Sequence, residues 1–296
     1  MKKILVLLFL FGYFFSNILV AQEAIQTKYV EKTFQDVRLI NTQTVENVPE
    51  KAFQFILQHR FGMADFKDDF FKNFFGLDET TNIRFGFAVP VSRRLLLGVG
   101  RTKFQKTFDF EGKYIILKQT KDDKVPVSVA FHENLYYRTS DYSGVDEALF
   151  KSSYRLSYSS QLIISRKFNG SFSLQINPTL LHRNLTEDYE NNNTFILPVG
   201  GRIKTSLFSS VLFEYAFIFD KPGFDNDVLK VRNPISISYE YKTASHVFQI
   251  IAGSTYHILN NYHYTTTYRS VNPLDGRFYL GFNMSRTFWI KKPTTL

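Results

Sequence analysis

From about Ala52 to Ile290 the chain breaks into about twelve runs in which every second residue is apolar. Phe172, Leu174 and Ile176 alternate with Ser173, Gln175, Asn177 and Thr179. Ile235, Ile237, Tyr239 and Tyr241 alternate with Ser236, Ser238, Glu240 and Lys242, and Phe278, Leu280, Phe282 and Met284 with Tyr279, Gly281, Asn283 and Ser285. Successive side chains on a strand point to opposite faces, so each run makes a strand with one apolar and one polar face. The pattern allows two all-β solutions, a soluble sandwich and a membrane barrel.

The connections separate the two. Following the chain, they alternate in length. The gaps Met63 to Thr81, Thr139 to Phe150, Leu185 to Asn193, Asp220 to Val231 and Leu259 to Asp275 are wide. Those at Ser92-Arg93, Lys121 to Lys124, Asn169-Gly170, Thr205-Ser206 and Thr243 to Ser245 are tight. One position breaks the rule: a tight turn at Phe104-Gln105 stands where a long loop is due. Charge follows the same division. Most of the 27 acidic residues fall in the wide gaps, among them Asp65, Asp78, Asp141, Asp146, Glu187, Glu190 and Asp225, while Arg93, Arg94, Lys121, Lys124, Arg166, Lys167, Lys204 and Lys242 gather at the tight turns. A sandwich has no reason to give its two ends opposite sign. Short turns on one side and long loops on the other are the arrangement of an outer-membrane barrel, with both chain ends on the short-turn, periplasmic side. Aromatic residues near the strand ends, such as Tyr136, Phe195 and Phe219 on one side and Phe168, Tyr239 and Trp289 on the other, fit two interfacial girdles.

The N-terminus supplies the route. Lys2 and Lys3 precede an apolar stretch from Ile4 to Phe15, and Leu19-Val20-Ala21 ends in a small residue, the layout of a secretory signal peptide. Beyond it no apolar run approaches the ~20 residues of a membrane helix. The absence of cysteine excludes disulfides, thiolate catalysis and lipid attachment through a cysteine. The net charge of +9 does not point to nucleic acid, because the basic residues are scattered through an exported chain. The chain then divides into a signal peptide (1–21), an N-terminal periplasmic segment (22–51), an all-β, antiparallel up-and-down transmembrane barrel of about 12 strands (52–291) and a short C-terminal tail (292–296).

Two stretches lie outside the strand pattern. Residues 22–51 are polar, with a short alternating piece from Val37 to Ile40, and are placed in the periplasm or against the lower mouth of the barrel. In the first wide gap Phe70, Phe71, Phe74 and Phe75 recur at helical spacing between Asp68-Asp69 and Gly76. That spacing predicts a short amphipathic helix, on the membrane surface, on the barrel rim or folded inward as a partial plug.

Several motifs resemble a family of Gram-negative outer-membrane β-barrel proteins of unknown function: Gln58-His59-Arg60-Phe61-Gly62, Phe74-Phe75-Gly76-Leu77-Asp78, Asn82-Ile83-Arg84-Phe85-Gly86, Leu181-His182-Arg183-Asn184-Leu185, Thr33 to Arg38, and Leu280 to Trp289. The resemblance spans nearly all of the mature chain. It implies a barrel in the outer membrane and carries over no activity or catalytic residue. The last strand also resembles the C-terminal recognition signal of such barrels, but departs from it at Arg286 and in the residues after Ile290.

Little in the pattern carries chemistry. No G-x-S-x-G elbow is present. His132 with Asn134 on one polar face is the only remnant of a hydrolytic set; His257 and His263 lack the partners of a metal site. Asp220, Asp225 and Asp227 lack the order of a calcium loop. The alternation places Arg84, Asp109, Glu111, Lys113, His132, Arg155, Gln161, Gln175, Arg183, Arg202, Glu214 and Glu240 inside the barrel. If these charges pair across the lumen they close it; if the arginines stay free they favour anionic solutes. The reading is a non-enzymatic outer-membrane barrel, a narrow channel or binding barrel for small polar or anionic solutes. The alternatives are a lipid-modifying barrel enzyme centred on His132 and a soluble secreted β-sandwich binding protein. No cofactor or metal is expected. The expected partners are outer-membrane lipid and lipopolysaccharide, the barrel-assembly machinery during insertion, and a small polar solute.

Overall fold

A computed structural model describes residues 28–67, 71–79, 82–142, 150–186, 190–219, 232–265 and 270–291. Its strands are β1 (Ala52–Asp65), β2 (Asn82–Pro90), β3 (Leu95–Thr102), β4 (Thr107–Leu117), β5 (Ser128–Arg138), β6 (Leu156–Lys167), β7 (Phe172–Ile176), β8 (Thr179–Arg183), β9 (Asn193–Lys204), β10 (Ser209–Ile218), β11 (Ile235–Lys242), β12 (His246–Gly253) and β13 (Arg277–Trp289). Each pairs antiparallel with its sequence neighbours, and β13 pairs with β1 from Ala52↔Trp289 to Asp65↔Arg277, which closes the sheet. β7 and β8 both lie between β6 and β9 and are two halves of one barrel strand. The break falls at Asn177-Pro178, where proline has no N–H to give the ladder. Pairing continues across it through Asn177 N–H on Pro198 O (2.8 Å) and Leu162 N–H on Pro178 O (3.0 Å). The architecture is therefore a closed twelve-stranded barrel, not a sandwich.

The turns after β2, β6, β9 and β11 are short, and the connections after β1, β5, β10 and β12 are long; those after β4 (118–127) and β8 (184–192) are of similar length, the former closing on a tight turn with Thr120 N–H on Val125 O. The exception at Phe104 is real: a short 3₁₀ turn, Phe104–Lys106, joins β3 to β4. No helix among the described residues is long and apolar enough to cross a membrane.

Burial is inverted relative to a soluble protein. Apolar residues on the outer face stand open, Ile250 at 67% and Ile237 at 56%, whereas Gln58, Arg84 and Gln161 are at 0% inside. An outer face of Phe85, Phe87, Val99, Phe110, Phe217, Ile237 and Ile250 needs hydrocarbon around it. Polar groups on that face are satisfied locally. Glu133 in the middle of β5 accepts from Ser160 Oγ at 2.6 Å. Arg286, near the short-turn end, lays its guanidinium 4.6 Å over the Phe288 ring.

The barrel is not hollow. Residues from Val30 to Val48 enter from the short-turn end and are almost wholly buried. They form a tight hairpin, with Leu39 N–H on Thr42 O (2.9 Å), Thr44 N–H on Val37 O (2.8 Å) and a bridge Arg38↔Gln43. Their apolar side chains meet small or apolar residues of the inner wall in three clusters. Val37 and Val48 pack with Ile56, Ala88 and Leu96; Phe34, Leu39 and Ile40 with Leu212 and Ile251; Val45 with Ile115, Ala130 and Ile163. The segment assigned above to the periplasm thus lies, in its described part, within the lumen. Its apolar residues are too scattered to form a strand pattern, yet each finds a pocket between polar wall residues.

The inversion yields a direct expectation. Ile250→Arg, at the middle of β12 on the outer face, should destabilise the refolded protein by roughly 2–4 kcal/mol in lipid vesicles. Ser238→Ala, on the inner face of β11, should cost less. Denaturant titration followed by tryptophan fluorescence reads both.

Candidate functional site

The site is the lumen, and its centre is the tip of the hairpin. Glu214 on β10 projects inward and its carboxylate accepts the backbone N–H of Ile40 (3.0 Å), Asn41 (2.9 Å) and Thr42 (3.0 Å), the Thr42 hydroxyl (2.6 Å) and Asn41 Nδ2 (3.1 Å). Successive N–H groups in a turn form a concave donor for an anion, and a buried carboxylate needs such donors to remain charged. The carbonyls of the same turn are taken by wall amides: Gln249 Nε2 donates to Leu39 O (2.6 Å) and Asn283 Nδ2 to Ile40 O (2.9 Å). Arg60 donates to Asn41 Oδ1 and to Asn283 Oδ1, both at 2.9 Å. Gly200 on β9 makes room for this docking, since a Cβ there would stand 2.5 Å from Leu39 Cδ2.

A second contact lies on β4. Glu111 accepts from Arg38 Nη2 (2.7 Å) and Gln43 Nε2 (2.8 Å), with His132 Nε2 at 3.5 Å. Lys113 Nζ donates to Thr44 O (2.8 Å) and to Glu46 O. On β7 and just after it, Gln175 and Asn177 donate to Gln43 O (3.1 and 3.0 Å). The remaining inner charges pair within the wall. Arg84 makes a two-pronged bond to Asp109, with Nε–Oδ1 at 3.0 Å, and Arg202 Nε lies 3.7 Å from Glu240 Oε1.

The long-loop end is narrowed from the other side. After β12 the chain turns back into the barrel as residues 254–265, with a single helical turn, α1 (Asn260–His263). Leu259 and Tyr264 join Tyr136, Leu181, Ile196, Ala216 and Ile218 in one apolar cluster. Tyr256, His257 and Tyr262 surround Phe104 at centroid distances of 5.8, 4.6 and 4.9 Å. The short turn at Phe104 therefore leaves room for this inserted loop. His263 Nδ1 bonds His257 O at 3.0 Å, and burial pulls its pKa down to about 4.

Of the residues singled out by alternation, Arg84, Asp109, Glu111, Lys113, His132, Gln161, Gln175, Arg202, Glu214 and Glu240 are all buried on the inner face. Arg155 and Arg183 lie at the long-loop end of the barrel and are half-buried there. Arg155 ends a 3₁₀ turn, Ser152–Arg155, that breaks the alternation before β6 begins, and it donates to the carbonyls of Arg138 (3.3 Å) and Ser140 (2.8 Å). Arg183 is the last residue of β8 and pairs with Glu190 at the rim (3.0 Å). Gln54, Gln58, Arg60, Gln249 and Asn283 share the same alternation and lie on the same inner face. Arg38 lies in the Thr33 to Arg38 motif, and Asn41 just beyond the alternating piece.

Phe70 lies outside the described residues, as do Asp220, Asp225 and Asp227. Phe71 and Phe74 are 82% and 56% exposed. Phe74 and Phe75 have φ of 41° and 61°, so the helical spacing ends in a 3₁₀ turn, Phe74–Gly76, resting on β1 and β13. Gly76, at φ +79°, packs on Gly62 of β1, where a Cβ would meet Gly62 O at 2.6 Å. That contact ties the loop to the wall. Among the described residues no group of histidines and carboxylates could hold a metal ion.

A family model described as a membrane-bound beta barrel domain, DUF5777, matches residues 34–288, hairpin included. The chain belongs to that family. Its fold is that of Gram-negative outer-membrane barrels. No curated protein matches it by sequence. Among solved structures it is similar to the COG4313 outer membrane channel from Pseudomonas putida F1 (12% identity, 82% of this chain and 98% of that one, TM-score 0.50). It is also similar to the KdgM porin (9%, 79% and 99%, TM-score 0.46) and to outer membrane phospholipase A from Escherichia coli (8%, 81% and 91%, TM-score 0.43). At these identities the likeness is one of fold. The family match places the hairpin inside the domain rather than before it.

Two outcomes follow from the lumen geometry. Glu214→Ala leaves three buried N–H groups without an acceptor, so hydrogen exchange at Ile40, Asn41 and Thr42 should speed up about 10- to 100-fold, equivalent to about 1–3 kcal/mol. The barrel amides should keep their protection. For His263, a folded pKa below the ordinary 6.5 means that its share of stability is intact above pH 6.5 and lost as pH falls through about 4. Exchange mass spectrometry should show residues 254–265 losing protection over that window, and His263→Phe should remove the dependence.

Proposed function

We propose that this barrel is a narrow outer-membrane channel for small polar solutes, closed by its own N-terminal hairpin. The observation that carries the reading is the nature of the closure. At the tip, the wall spends Glu214, Gln249, Asn283, Gln175 and Lys113 on backbone groups of the hairpin. Water or a hydroxylated solute can take over each of these bonds once the hairpin withdraws. A barrel that only needed filling would be better served by apolar side chains from its own wall.

The paired charges refine the solute. With Arg84 on Asp109, Arg202 beside Glu240, and Arg60 and Lys113 matched in number by Glu214 and Glu111, these inner charges balance, which favours uncharged polar solutes over anions. The short-turn end, with its basic residues and both chain ends, is placed in the periplasm, and outer-membrane lipid, lipopolysaccharide and the barrel-assembly machinery are the partners this placement brings. The channel from Pseudomonas putida F1 that shares the fold is consistent with this reading.

The lipid-modifying alternative centred on His132 is less well supported. Its ring is 1% exposed beneath the hairpin, and neither nitrogen is hydrogen-bonded to a hydroxyl that could act as nucleophile.

Planar-bilayer recording decides between an occluded channel and a solid barrel. The full chain should show rare, small openings. Deletion of residues 28–48, with folding checked by heat-modifiable migration, should give a steady conductance with weak ion selectivity. A folded deletion variant with no conductance would overturn the channel.

A further inference from the structure

A cavity of about 260 Å³ lies at the short-turn end, in the seam between hairpin and wall. The N-terminal segment contributes Lys32, residues 35–37 and residues 46–49, and the wall contributes Gln54 of β1, the β11–β12 turn and the end of β13. Three of its lining side chains carry a buried oxygen with no hydrogen-bond partner: Asn47 Oδ1, Gln54 Oε1 and Ser285 Oγ. Gln54 and Ser285 are only 5% and 2% exposed, so these oxygens are not simply turned to bulk water. Buried polar atoms in native proteins are almost always satisfied, and three unsatisfied ones around one cavity point to something that seats there.

The chemistry of the lining selects the guest. Two amides and a hydroxyl offer acceptors and donors to O–H groups. The chain's single tryptophan, Trp289, lines the same cavity and supplies an aromatic surface for an apolar ring face. The charges balance: Lys32 and Lys242 stand with Asp36 and Glu46. Both acids are already engaged, Asp36 Oδ1 with Gln54 Nε2 (2.7 Å) and Glu46 Oε1 with Thr33 N–H (2.8 Å), and Lys242 Nζ holds Gln35 Oε1 (2.9 Å). A strongly charged ligand gains nothing from such a balance. The volume lies just below the ~300 Å³ floor for drug-sized ligands, which suits one small ring.

We infer that this cavity binds a neutral saccharide of about monosaccharide size at the junction of hairpin and wall. The inference is separate from conduction, because the site exists in the closed barrel and needs no passage of solute.

Trp289 is its own reporter. Refolded full-length protein in a detergent without a sugar headgroup is titrated with D-glucose, D-galactose and D-mannose, and with sodium D-glucuronate and lysine as charged probes. At least one neutral sugar should give a saturable change in tryptophan emission, and the charged probes should not. Gln54→Leu and Ser285→Ala should each weaken that sugar about tenfold, or 1.4 kcal/mol. Ser285→Ala removes no hydrogen bond present in the structure, so its loss of affinity separates ligand contact from damage to the fold. No saturable change with any neutral sugar, glucuronate binding as well as its neutral counterpart, or unaltered affinity in Ser285→Ala would each overturn the inference.

Discussion

Backbone amides facing hydrocarbon find no water, so each must be bonded within the sheet. In this chain the condition is met by the β1–β13 ladder, which leaves the sheet without an edge. Everything else follows from that closure. The outer face must be apolar, as Phe85, Phe87, Ile237 and Ile250 are, and the polar half of each strand is turned into a confined lumen. There the requirement repeats itself: charged and amide side chains shielded from water need partners of their own. Some are found within the wall, as in Arg84 with Asp109. Others are supplied by a segment that is not part of the wall.

The hairpin answers that need with backbone as much as with side chains. A turn presents N–H and C=O groups in a small space, and Glu214, Gln249 and Asn283 take both kinds. Apolar contacts run beside these bonds: Val37 and Val45 meet small wall residues such as Ala88 and Ala130, and Phe34, Leu39 and Ile40 meet Leu212 and Ile251. The two kinds of contact would respond differently to withdrawal of the hairpin. Polar contacts exchange for water at little net cost, whereas apolar contacts would give most of the resistance.

The opposite mouth is narrowed by different means. Residues 254–265 fold back over Phe104 and into the cluster of Tyr136, Leu181 and Ile196. This explains the one irregularity in the alternation of loop lengths. A long connection between β3 and β4 would compete for the space the insertion fills. The wall itself is weakest at Asn177-Pro178, which faces Pro198 on β9, and that stretch also carries two of the amides that hold the hairpin.

Much of the fold was legible in the sequence. Alternation marked the strands, loop lengths and charge gave the barrel its polarity, and parity alone put Arg84, Asp109, Glu111 and Glu214 on the inner face, because a period of two leaves a strand residue only two directions. The same logic stops short of Arg155, which sits in a 3₁₀ turn before β6, while Arg183 at the end of β8 keeps the parity of Thr179 and Leu181. It failed for the aromatic loop, since spacing cannot show that Phe74 and Phe75 adopt positive φ. It brought the N-terminal segment no closer than the lower mouth of the barrel. Residues 30–48 alternate only from Val37 to Ile40, and their place is set by contacts with side chains up to 243 positions away, as in Ile40 with Asn283. The sequence by itself determined a closed membrane barrel with a charged interior, because those properties are local and repeat along the chain. Whether that interior is open was decided only in three dimensions, where one carboxylate and one irregular turn meet across the lumen.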